Sequence, residues 1–413
     1  MTRRALGRWA RLGIAQAAAW AAASDPDLSL FFNTIGADER TAKTALREIA
    51  KAWRPSFTIM FVEMLPLTSE LPQQRLLRFL VQQTKQDFEA DPAKWSKWVW
   101  SLPYRPHAQY AKFKGILYSL IDPRMGFFFP PHVAARIRLD QVEWGGVRVN
   151  GIPPLVRPKT VPAKDASYLN ESDHVFGIEV NGETRAYPKR ILAWHEMALD
   201  RLGGLNLTVV YCTLCGTVIP YRSLEYEFGT SGLLYESSKL MFDAKTNSLW
   251  STLQGEPVIG QLANSGITLE FQPVVTTTWG EWRADHPQTS VLSLQTGYHR
   301  DYGEGVAYHD YFATQELMFP VSRTDLRLRN KDEVLGIRLP GKKPLAFSVL
   351  YLNKNPKVTY THEGVALEIL TSPHGANRVY RRGHAGEEAA RVPAYRAFWF
   401  GWYAQFPNTI LVK

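Results

Sequence analysis

The chain has 413 residues, 45% hydrophobic and 12% aromatic, with 29 Gly and 26 Pro. This composition suits an ordered protein of two or three domains and excludes collagen, coiled coil and a mainly disordered chain. No apolar run approaches the ~20 residues of a membrane-spanning helix, which excludes a polytopic membrane protein. The formal net charge is +9, most of it in residues 1–125, scattered among Trp, Leu and Phe rather than gathered in a basic block. That pattern argues against nucleic acid as a partner and leaves peripheral contact with a membrane surface or another protein, through residues 1–125, as the expectation.

The first 24 residues read as a basic stretch (MTRRALGRWAR), a neutral run over 12–23 and a small-residue end at Ala21, Ala22 and Ala23. They imitate an export signal, although an ordinary first helix stopped by Pro26 explains them equally, so exported (periplasmic) and cytoplasmic locations both stay open. From 27 to about 125 the pattern is helical. Residues 42–53 and 71–88 space their apolar positions three and four apart, and Pro55, Pro66, Pro72 and Pro92 punctuate the segments. Trp95, Trp98 and Trp100 read as packing residues between helices.

Near 126 the pattern changes. Gly and Pro rise, and short alternating runs appear around 147–154, 176–182, 207–211 and 268–271. Asn181-Gly182 between two such runs predicts a two-residue hairpin. Residues 191–202 (ILAWHEMALDRL), closed by Gly203 and Gly204, predict a helix. An internal repeat is also visible. VFGIEVNG at 175–182 resembles VLGIRLPG at 334–341, and WGEWRADHPQT at 279–289 matches WFGWYAQFPNT at 399–409. The expected fold is therefore α+β: a helical N-terminal domain (1–125) followed by two related β-rich halves, 126–332 and a shorter 333–413. His286 corresponds to Phe406 in the second copy, which argues for packing.

The only cysteines, Cys212 and Cys215, fall in the string CTLCG at 212–216, so there is no disulfide framework. Two thiols at this spacing serve a redox disulfide, a metal chelate or plain packing. The residues that follow, TVIPY, continue as a strand rather than a helix, so the pair sits in a strand-to-strand turn, with Gly216 supplying positive φ. Such a turn resembles the metal knuckle of rubredoxins and zinc ribbons. It supplies two of the four ligands a closed zinc site needs, which points to an open coordination position and to copper, iron or zinc as the ion. His195 and His299 are the candidate further ligands. Glu196, Arg300, Asp301 and Tyr302 are the candidate catalytic residues, for a small-molecule substrate.

Residues from about 140 to 413 resemble the bacterial and archaeal family catalogued as domain of unknown function 3179. The matching pieces include NGIPP at 150–154, VFGIEVNGETRAYP at 175–188, ILAWHE at 191–196, VYCTLCGT at 210–217, FGTSG at 228–232, DAKTNSLWS at 243–251 and TGYHRDY at 296–302. The family usually has proline after the first cysteine, where this chain has Thr213. The resemblance carries fold and motif, without an assigned reaction, and implies that members are often exported. The leading expectation is a metal-dependent redox enzyme. The alternatives are a metal-free thiol–disulfide oxidoreductase and a non-enzymatic metal- or partner-binding module.

Overall fold

The computed structural model describes residues 24–383 and 389–413, and the export-like segment at 1–23 lies outside them. The chain divides into two compact units between Leu117 and Tyr118. No helix among the described residues is long and apolar enough to cross a membrane.

The first unit is helical for reasons its sequence states. Asp38 caps the helix Glu39–Lys51 by accepting the Thr41 N–H at 2.9 Å, and that helix buries Ala42, Ala45, Leu46 and Ile49 along one stripe. Asp91 caps Pro92–Ser101 in the same way, with proline in the first turn, and Trp95, Val99 and Trp100 go inside. The helix Glu70–Thr84 stops where Lys85 turns left-handed, a few residues short of the predicted Phe88.

The β-rich part corrects the expected fold class. It is not an α+β pair of halves: its strands are distributed over five small sheets of four or five strands each, a propeller-like set. Strands of the proposed first half fall into three different sheets, because the segment between the two matching ends of the repeat folds into sheets of its own. The repeat does appear at the scale of one sheet. His174–Val180 and Glu183–Pro188 pair through Asn181 and Gly182, both at positive φ. Val274–Thr278 adds on one side, Ser290–Leu292 pairs parallel on the other, and Thr160–Pro162 closes that edge. Glu333–Ile337, Leu345–Ser348, Ala394–Phe398 and Ile410–Val412 repeat that order. Gly177 and Gly336 hold equivalent places, each under a tryptophan: a Cβ there would meet Trp282 at 2.2 Å or Trp402 at 2.1 Å. Trp282 and Trp402 donate to Thr289 and Thr409 at 3.0 and 2.9 Å, while His286 and Phe406 pack on the two indoles.

The strands inserted between Glu183–Pro188 and Val274–Thr278, with Val142–Trp144 and Leu155–Val156 from ahead of the first repeat sheet, form two further sheets, one carrying the thiols and one abutting them. The first orders Leu155–Val156, Met197–Leu202, Leu205–Cys212 and Thr217–Arg222. The second orders Val142–Trp144, Phe228–Tyr235, Ser238–Asp243, Leu249–Ser251 and Glu256–Ile259. The fifth sheet, Lys357–His362 to Ala390–Val392, is a plain antiparallel meander.

The helix expected over 191–202 is half strand. It runs only over Lys189–His195, and Glu196, at φ 55, ends it in a left-handed residue. Met197–Leu202 then pairs with Leu205–Cys212. Its apolar positions fit a period of two as well as one of 3.6, and the Gly203-Gly204 turn, both at positive φ, lets the hairpin win.

Candidate active site

The thiol turn is a hairpin loop. Cys212 pairs with Thr217 as the last rung, Cys215 N–H donates to the Cys212 carbonyl at 3.2 Å, and Gly216 N–H donates to that of Thr213 at 3.2 Å. Gly216 sits at φ 60, as the sequence predicts. Neighbours fix the loop from outside. The Phe398 N–H donates to the Cys215 carbonyl at 2.8 Å and the Tyr311 hydroxyl to that of Leu214 at 2.8 Å. Both thiols are free and buried.

A second turn abuts the first. Glu236 and Ser237, both at positive φ, join Phe228–Tyr235 to Ser238–Asp243, and the Ser322 backbone and hydroxyl bind the Glu236 carboxylate. The Ser237 carbonyl lies 3.7 Å from Cys215 Sγ, and Ser238 Oγ lies 3.9 Å from Cys212 Sγ. Lys239 lies one residue before pairing with Leu249–Ser251 begins, at Leu240. Its buried ammonium spends all three donors on the Glu196 carbonyl at 2.8 Å, Glu196 Oε2 at 3.2 Å and the Tyr211 carbonyl at 3.1 Å. Glu196 Oε1 in turn accepts from Thr213 at 2.8 Å and Tyr308 at 2.9 Å.

These contacts make the two sulfurs chemically unequal. Burial opposes ionisation of Cys212, but the adjacent Cys215 thiol, the polar Lys239 backbone and the Lys239 charge hold its thiol down to about 7. Burial and the proximity of the Cys212 sulfur push Cys215 well above the ordinary thiol value. Burial likewise raises Tyr308, which stays a phenol. The arrangement is an acidified thiol at Cys212 with a less acidic one beside it. It fronts a cavity of about 60 Å³ whose walls include Glu196, Thr213, Lys239, Tyr308, Met318 and Phe319.

The other candidates divide. Of the residues expected around the thiols, Glu196 alone lines this cavity with Cys212. His195 and Glu196 are adjacent in sequence but part company at the left-handed turn. His195 is fully buried, with Nδ1 2.9 Å from the Pro153 carbonyl and Nε2 2.6 Å from the Tyr302 hydroxyl. A carbonyl can only accept, so Nδ1 carries the proton and Tyr302 donates to Nε2. Burial pushes the His195 pKa below its ordinary value, only partly opposed by that carbonyl. Thr296 completes the chain, 2.7 Å from the Tyr302 hydroxyl. His299 and Arg300 are exposed, and Arg300 bonds the His299 carbonyl at 3.0 Å and lies over Trp194. Asp301 accepts from the Gly303 N–H and, through its carbonyl, from Trp194. No three His, Cys, Asp or Glu side chains among the described residues form a group with metal-ligand spacing, so the expected set Cys212, Cys215, His195 and His299 is not gathered at one point.

Lys239 escaped sequence reasoning, since it stands in no motif and reaches the thiols from a neighbouring sheet. Tyr308 stands a few residues beyond the piece at 296–302 that carries the candidate residues, with no motif of its own. Thr213 carried a signal, the hydroxyl standing where the family has proline, and that hydroxyl is what binds Glu196.

A family model described as "Protein of unknown function (DUF3179)" matches residues 149–409. No curated protein and no solved structure matches the chain.

Proposed function

This chain belongs to the DUF3179 family, and from that premise we propose that Cys212 and Cys215 form a metal-free dithiol–disulfide redox centre. The observation that carries the reading is the turn itself, a four-residue hairpin loop that holds two free, buried thiols as neighbours, one of them beside the cavity. Cys212, the more acidic thiol, is the nucleophile and Cys215 the resolving thiol. In a turnover a two-electron acceptor takes the electron pair of the Cys212 sulfur. Cys215 then attacks Cys212 Sγ, displaces the reduced acceptor and closes the disulfide, and two protons leave with the two electrons. Glu196, Thr213 and Tyr308 hold the Lys239 ammonium and the cavity wall in place. A cation on the same sulfurs would share its surroundings with that ammonium and would find no third ligand grouped with them among the described residues.

Mass measurement after alkylation of the denatured protein tests this. Mild oxidation removes both alkylation sites and dithiothreitol restores them, while Cys212→Ser and Cys215→Ser each leave the remaining thiol alkylatable. Two thiols still alkylatable after oxidation defeat the reading. Stoichiometric copper, iron or zinc in the purified protein, lost in Cys212→Ser, would put the metal enzyme in its place.

A further inference from the structure

We propose that the acceptor is a small hydroperoxide, hydrogen peroxide foremost, which meets Cys212 inside the cavity. This rests on the dithiol reading above and adds the substrate class. The argument is one of size and surface. Cys212 is 1% exposed and Cys215 fully buried, so a protein or peptide disulfide has no surface sulfur to attack. What adjoins Cys212 is a cavity of about 60 Å³, and a water needs roughly 10–15 Å³ by this measure, so the space suits a molecule of a few heavy atoms. Met318, on its wall, is 55% exposed, which leaves the space one side chain from solvent.

The wall chemistry selects within that size. The Thr213 and Tyr308 hydroxyls donate to Glu196 and keep oxygen lone pairs that accept from an O–H group. Gly232, Leu233, Leu234 and Phe319 supply the apolar remainder. A molecule with O–H donors and an electrophilic oxygen fits both faces. Dioxygen offers no donor, and its reaction with a thiolate proceeds one electron at a time.

The chemistry balances without a further reagent. The Cys212 thiolate attacks one peroxide oxygen, and the O–O bond breaks with its electron pair on the leaving oxygen. That oxygen departs as hydroxide and takes up one proton, the equivalent of the one Cys212 lost on ionising. Cys212 becomes a sulfenic acid. The Cys215 sulfur then attacks Cys212 Sγ, the S–O bond breaks, and the second hydroxide leaves with the Cys215 proton as water. Two thiols and one hydrogen peroxide yield one disulfide and two waters.

The test is single-turnover oxidation of the reduced full-length protein by hydrogen peroxide, cumene hydroperoxide and glutathione disulfide, read by quenched alkylation and mass. Hydrogen peroxide should close the disulfide at least a hundredfold faster than it oxidises free cysteine, and at least tenfold faster than either bulky oxidant does. Cys215→Ser should accumulate a sulfenic acid that dimedone traps. Tyr308→Ala, which widens the cavity, should narrow the gap between the two hydroperoxides. Bulky oxidants as fast as hydrogen peroxide, or a peroxide rate no greater than that of free cysteine, would overturn the peroxide assignment while leaving the dithiol intact. No disulfide with any of the three would overturn both.

Discussion

At the scale of single residues, Cys212 and Lys239 decide what the site can do. The folded value of about 7 for Cys212 lies below the unfolded value of 9.0. A depressed acid stabilises the fold above its unfolded pKa and loses that contribution as pH falls through the folded one. The stability difference between wild type and Cys212→Ser should therefore be largest above about pH 9, shrink between about 9 and 7, and settle below that to a constant set by packing alone. Denaturant unfolding across that range measures it, and a pH-independent difference would contradict it. Thiolate absorbance should titrate near 7 in the wild type, and Lys239→Met should move the midpoint up by about one unit or more. The same substitution leaves the Glu196 carboxylate buried without its cation. It should cost about 3–5 kcal/mol, part of which Lys239→Met with Glu196→Gln recovers. If Lys239→Met leaves the thiol midpoint in place, the lysine is structural only.

At the scale of elements, the left-handed Glu196 and the two glycine–tryptophan contacts do the positioning. Glu196 sends the chain from helix into strand and turns His195 toward Tyr302 while its own carboxylate faces the thiols. The adjacent pair was legible as a polar dyad. Its division was not, because residues 197–202 satisfy a strand period and a helix period together, and only the partner strand settles the matter. The backbone of the thiol turn was legible, down to the φ of Gly216, since a turn is local chemistry. Lys239 was invisible for the opposite reason: a lysine on a strand carries no mark of what the neighbouring sheet sets against it. Gly177→Ala and Gly336→Ala test the repeat as a structural device. Each forces a methyl into an indole ring, and each should destabilise by about 1–3 kcal/mol or more. Combining either with Trp→Leu at its own partner, Trp282 or Trp402, should cost clearly less than the sum of the single changes. Simple additivity would mean that the glycine and the tryptophan are not coupled.

At the scale of the molecule, the thiol turn is supported by chain that lies far off in sequence. The second repeat sheet has no thiols, yet its Phe398 N–H holds the Cys215 carbonyl, the Arg396 carbonyl accepts from Thr217, and the helix Trp399–Gln405 sets Gly401 against the sulfur. A pattern search finds the two copies but not that one leans on the chemistry of the other, nor that the strands between their ends form separate sheets. Gly401→Ala makes the dependence measurable. Within a helix, glycine to alanine ordinarily stabilises by roughly 1 kcal/mol. Here the new Cβ would stand 3.1 Å from Cys215 Sγ, tighter than ordinary contact, in a turn held on both sides. Overpacking of about 1–3 kcal/mol should outweigh the helical gain, so net stability falls. A merely local clash would stop there. Because the sulfur itself is displaced, the equilibrium between Cys212–Cys215 dithiol and disulfide in dithiothreitol buffers should shift as well. A destabilised protein whose thiol equilibrium matches the wild type would show that the second sheet supports the fold and not the redox pair.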